Sequence, residues 1–156
     1  MPRIVFIQPL FTNKELDRNV KTVYPIGLGY LAAYVPEHWE VRIIDEQLEP
    51  IDFDQNVDIV GITTTLTANR AYEIAEEFRK RGLTIIMGGV HASMCSEEAK
   101  RYCDAVCLGD GEKIIGQLIG DYENGCLKDI YEGGQAPLTG LRFPIRHLFK
   151  KEYTFL

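Results

Sequence analysis

The sequence predicts an α/β fold, a parallel β-sheet covered by helices on both faces, and three observations carry that prediction. Short runs rich in β-branched residues recur at 3–9, 40–47, 58–65, 83–89 and 105–112. Between them lie segments whose apolar residues repeat at helical spacing. The chain has 156 residues, 46% hydrophobic and 26% charged, the size and balance of one globular domain.

Each element follows from its own residues. The first run, RIVFIQP, is stopped by Pro9. In PIGLGYLAAYVP (25–36), Leu28, Leu31, Ala32 and Val35 recur at i, i+3, i+4 and i+7, so a helix is expected between Pro25 and Pro36. EVRIIDEQ (40–47) is a second strand, and DIVGITTT (58–65) a third, apolar enough to be covered on both faces. The next helix carries a stripe of Ala71, Ile74, Ala75 and Phe78 and is stopped by Gly82. LTIIMGG (83–89) is the fourth strand. SEEAKRYC (96–103) predicts a helix capped by Ser96, with Glu97 and Glu98 at the positive end of its dipole. AVCLGDGE (105–112) is a fifth strand and its turn, and Ile115, Leu118, Ile119 and Tyr122 stripe the last helix.

Strands alternating with helices imply a doubly wound five-stranded parallel sheet of Rossmann-like (flavodoxin-like) order 2-1-3-4-5. Such a domain is expected over 1–132. From about Gly133 the composition turns to glycine and proline with no period, so 133–156 reads as a connector towards a further domain.

Ligands of these sheets sit beyond the carboxyl ends of the strands, which singles out three stretches. Thr63-Thr64-Thr65-Leu66 ends the third strand, as a row of hydroxyls for a polar ligand or simply as β-branched residues finishing a strand. Gly88-Gly89 ends the fourth, offering bare backbone, with His91 two residues on. Gly109-Asp110-Gly111-Glu112 ends the fifth.

Several rival chemistries are tested by the same residues. GLGYLA at 27–32 matches the dinucleotide fingerprint and Asp45 follows, but a long polar segment separates it from the first strand, where NAD or FAD binding needs the motif directly after it. No phosphate-loop motif and no nucleophile elbow is present. Asp45 and Glu46, adjacent on a strand, point to opposite faces. Cys103 and Cys107 read as buried thiols rather than ligands, so neither a metal site nor catalytic residues are expected. A net charge of −6, with the basic FRKRG cluster explained by Glu76 and Glu77 one turn earlier, argues against nucleic acid. No apolar run approaches the ~20 residues of a membrane span, and the start lacks a secretory layout, so the cytoplasm is the expected location.

The ordered set of Pro25-x-Gly27-Leu28 with YLAA, then IIDE, VGITTTLTANRAYEIAEEFR, GGVH with SEEA, and GDGE resembles the N-terminal cobalamin (vitamin B12)-binding domain of cobalamin-dependent radical SAM enzymes. It covers roughly residues 3–125, and the tail resembles the connector into the radical SAM barrel. Cobalamin-binding domains generally carry DxHxxG, SxL and GG. Thr64-Thr65-Leu66 matches the second with threonine for serine, and Gly88-Gly89 the third. The resemblance implies that the threonine loop and diglycine line a slot for the cofactor's nucleotide tail, with Gly27-Leu28 and Gly109–Glu112 flanking the corrin. DxHxxG is absent, so no histidine is expected on cobalt, and His91 is expected as a polar rim residue. The CxxxCxxC that holds a [4Fe–4S] cluster is also absent. The chain is therefore expected to bind cofactor without catalysing anything itself. In the full protein its partner would be a radical SAM domain of the same chain, with a [4Fe–4S] cluster and SAM, performing methyl transfer or other radical chemistry on an unactivated carbon. A domain of this architecture that has lost cobalamin, and an NAD- or FAD-binding module, are the alternatives.

Overall fold

The computed structural model describes residues 1–11, 24–135, 137 and 139–150. The polar segment at 12–23 and the YTFL at 153–156 lie outside the described residues. The elements run in chain order β1 (Arg3–Gln8), α1 (Ile26–Ala32), β2 (Glu40–Asp45), β3 (Ile59–Thr63), α2 (Ala68–Arg79), β4 (Thr84–Gly88), α3 (Val90–Met94), α4 (Ser96–Ala99), β5 (Ala105–Gly109), α5 (Ile115–Glu123) and β6 (Ile130–Gly134). All described strand pairs are parallel, in the order β2-β1-β3-β4-β5-β6.

Strand periodicity divides the core in two. Ile4 and Phe6 of β1 face α1 and α5 with Leu28, Ala32, Ile115 and Leu118. Val5 and Ile7 face the other way, onto Ala71, Ile74, Ala75 and Phe78 of α2 and Ala99 of α4. These β1 side chains are at most 1% exposed, which is why the strand reads as an unbroken apolar run. No helix among the described residues is long and apolar enough to cross a membrane.

The structure departs from the sequence reading at four places. α1 ends at Ala32 rather than reaching Val35, because Ala33, Tyr34 and Val35 donate three residues back, tightening the last turn ahead of Pro36. Ser96 is the first residue of α4 and not its cap; Cys95 holds that position and makes no side-chain cap bond. α3 is an additional helical turn. β6 is a sixth strand, so the sheet extends past the expected boundary at 132.

The segment expected as a connector packs against the domain over residues 142–149. The Ile145 amide donates to Gly29 O at 3.0 Å and the Arg142 guanidinium to Ala33 O at 2.8 Å. Phe149 enters the α1 core at 9% exposure, edge-on to Tyr24 with ring centroids 5.1 Å apart. Gly29 is the notch that admits it, since a Cβ there would lie 2.7 Å from the Phe149 ring.

Candidate functional site

At the carboxyl ends of β3, β4 and β5, beside α1, opens a cavity of about 210 Å³. Its floor is Phe6, Gly61, Ile86 and Cys107; Leu28, Leu31 and Ile115 form a wall. Gly61 shapes the floor by what it lacks: a Cβ would lie 2.6 Å from the Phe6 ring. The lip is polar and glycine-rich, carrying Gly27, Thr63, Gly88, Gly89, Gly109, Asp110, Gly111 and Glu112.

Two turns hold that lip. Gly89 has φ +100°, and a Cβ there would come 2.6 Å from Thr64 O, so the turn after β4 closes only around bare backbone. Thr64 fastens the same turn from the β3 side. It is fully buried, its hydroxyl donates to Gly88 O at 2.9 Å and accepts from the Ala92 amide at 3.0 Å, and its carbonyl accepts from the His91 amide. Across the mouth, β6 presses on the turn after β5. The Asp110 amide donates to Gly134 O at 2.9 Å, and a Cβ on Gly133 would lie 2.1 Å from Asp110 O. The β5–β6 register shifts between Leu108 and Gly109, a bulge that lets the two backbones meet so closely.

Beyond the 63–65 loop lies a second, polar hollow of about 310 Å³, lined by Leu10, Phe11, Thr65, Leu66, the start of α2 and His91. The His91 Nε2 lies 3.1 Å from Tyr72 Oη and 3.3 Å from Glu98 Oε1, and Tyr72 donates to Glu98 at 2.8 Å. Burial, then the hydrogen bond to Glu98, pushes the Tyr72 phenol up. Glu46 holds Arg70 beside this hollow. Burial alone would raise its carboxyl, but the bonds from Arg70 and the Leu10 amide outweigh it and leave it below the usual carboxylate range.

The predicted site residues therefore separate. Gly27, Leu28, Thr63, Gly88, Gly89, Gly109, Asp110, Gly111 and Glu112 surround one apolar cavity. Thr65, Leu66 and His91 line the polar hollow, and Thr64 lies beneath both as a fastener. The diglycine thus shares a cavity with Thr63, Gly27-Leu28 and the 109–112 turn. Phe6, Gly61, Leu31, Ile86, Cys107 and Ile115 were not singled out from sequence, because a cavity-lining apolar residue looks like any core residue. Gly61 alone carried a signal, as a glycine inside a strand. Burial pushes the Cys107 thiol to about 12, so this cysteine behaves as apolar lining. Among the described residues no three potential ligands group as a metal site. The GLGYLA glycines lie inside α1, one of them against Phe149, and not in a strand-to-helix turn that could cradle pyrophosphate.

Comparison with known proteins gives matches over this same region. The family model of the B12 binding domain matches residues 19–119. Over 123 residues the chain is 38% identical to bacteriochlorophyllide d C-8(2)-methyltransferase of Chlorobaculum tepidum, covering 78% of the chain and 27% of that protein. It is 31% identical over 145 residues to the C-12(1)-methyltransferase of the same organism, covering 90% and 32%. An uncharacterized methyltransferase of Pyrococcus horikoshii is 35% identical over 123 residues, covering 69% and 27%. The chain spans about a third or less of the length of these relatives.

Proposed function

This chain belongs to the B12-binding domain family, and from that premise we propose that its apolar cavity receives the nucleotide tail of cobalamin while the corrin lies across the lip. The cavity carries the proposal. At about 210 Å³ it exceeds the ~150 Å³ apolar cavity that admits benzene, so a bicyclic aromatic base fits and a corrin does not. The floor and wall supply apolar contact for the base through Phe6, Ile86 and Ile115. The glycine lip lets a broad ring rest close to backbone at Gly88, Gly89 and Gly109.

His91 is kept from the cobalt by its own partners. It lines the other hollow, with Nε2 engaged by Tyr72 and Glu98. The remaining histidines are His38, paired with Glu123 at 2.6 Å, and His147, exposed on the C-terminal arm. With the base held by the cavity lining, no imidazole of this chain would be available to the metal.

Bound cobalamin supplies a methyl group carried on cobalt; this chain holds and orients it and walls its tail from water. At the level of the whole protein, the reading is a cobalamin-dependent radical SAM methyltransferase. A radical SAM domain of the same polypeptide would carry the [4Fe–4S] cluster and SAM and face the exposed side of the corrin. The methyltransferase names of the relatives, and the large share of their length outside the matched region, support this reading.

An absorption titration with hydroxocobalamin followed by gel filtration tests the site. Retained colour with a base-off spectrum is expected, unchanged in His91→Ala and lost in Gly88→Val, whose side chain would occupy cavity volume beside Cys107. A histidine-ligated spectrum abolished by His91→Ala overturns the assignment. Colourless protein favours a domain that has given up the cofactor.

A further inference from the structure

One charged side chain at the mouth of the apolar cavity is left without a task by a purely apolar base. Glu112 lines the cavity and is half-buried, and among the described residues its carboxylate makes no hydrogen bond or ion pair. Its backbone is not free to drift. Glu112 sits in the 3-10 turn Gly111–Lys113, where a Cβ on Gly111 would lie 2.8 Å from Leu31, and Lys113 Nζ donates to Gln135 O. The residue before that turn is pinned by the Asp110–Gly134 bond and the Gly133 contact. A carboxylate carried on so pinned a backbone at the edge of an apolar cavity offers a hydrogen-bond acceptor to whatever enters.

Resting on the cobalamin reading of the cavity, we propose that Glu112 recognises the ribose of the nucleotide tail. The tail runs from base to ribose to phosphate. With the base in the cavity, the ribose stands at the mouth, where its hydroxyls are donors and an ionised carboxylate is acceptor-only. The phosphate carries the same charge as Glu112, so like-charge repulsion turns it to the opposite lip, where Thr63 presents a hydroxyl. Glu112 thereby makes the site selective for cobalamin over cobinamide, the same corrin without base, ribose or phosphate.

The test measures binding of hydroxocobalamin and of diaquocobinamide to the 156-residue chain and to Glu112→Ala and Glu112→Gln. Wild type is expected to prefer cobalamin. Glu112→Ala should weaken cobalamin by about tenfold to a hundredfold, the range of a lost charge-assisted hydrogen bond, and leave cobinamide unchanged. Glu112→Gln, which keeps one acceptor, should fall between. Equal weakening of both ligands, or of neither, overturns the assignment of Glu112 while leaving the cavity reading standing. Failure of the wild type to bind cobalamin overturns the cavity reading and this inference with it.

Discussion

The Thr64 hydroxyl serves two backbone partners at once, donating to the Gly88 carbonyl and accepting from the Ala92 amide. Both partners are then satisfied without water. Thr64→Val keeps the shape and removes the hydroxyl, leaving the buried Ala92 amide unpaired while the Gly88 carbonyl keeps the Thr64 amide. A loss of about 1–3 kcal/mol in urea unfolding is expected, and Thr64→Ser should recover most of it. At this scale the sequence left two readings of the threonine row open, hydroxyls facing a ligand or β-branched residues finishing a strand; Thr63 lines the cavity, Thr64 points inward and Thr65 is exposed. Which member of a run faces which way depends on the turn that follows, and the positive φ at Gly89 is set by partners across the sheet. His91, expected as a polar rim residue, lines the polar hollow, and its partners Tyr72 and Glu98 lie on α2 and α4, beyond any local pattern.

Among elements, β1, β3, β4 and β5 were readable because each spells a short, largely buried apolar run, and β2, at the edge with Glu40 and Arg42 exposed, through its buried Ile43 and Ile44. α2 was readable because its stripe is complete and Gly82, at φ +75°, stops it. β6 was not. IYEGG buries only Tyr131 and the backbone of Gly133, as an edge strand does, and two glycines in succession read as a turn. Its glycines fit the bulged turn after β5, a partner known only from the fold. Gly133→Ala therefore tests the element. The added methyl, 2.1 Å from Asp110 O, must displace the 109–112 turn. Because β6 is an edge, the far-ultraviolet circular dichroism should stay near wild type while cobalamin retained through gel filtration falls severalfold. Loss of the whole circular dichroism signal would mean that β6 supports the sheet rather than the site.

Across the whole molecule the two faces of the sheet are sealed by separate cores, and each contains a buried thiol, Cys107 on the α1 face and Cys103 on the α2 face. Burial is the first cause in both cases, and both thiols are pushed from an ordinary 9.0 to about 12. Between those values the folded state binds protons that the unfolded state has released, so stability falls as pH rises. It is complete below about pH 9 and declines from there towards about pH 12. Urea midpoints at successive alkaline pH values should drop, and drop less steeply in the Cys103→Ala, Cys107→Ala double variant. The return of Phe149 to the Gly29 notch bears on how the chain reaches this state. Phe149 belongs to the same core as Ile4 and Phe6, so a contact between residues far apart in the sequence, Phe149 with Tyr24 and Gly29, helps complete one face of the sheet. Loop closure of that length comes late, because its entropy is lost before the contact rewards it. A chain emerging from the ribosome thus keeps an apolar seam open beside α1 until Phe149 is made, and over that interval the seam is where a chaperone can hold it.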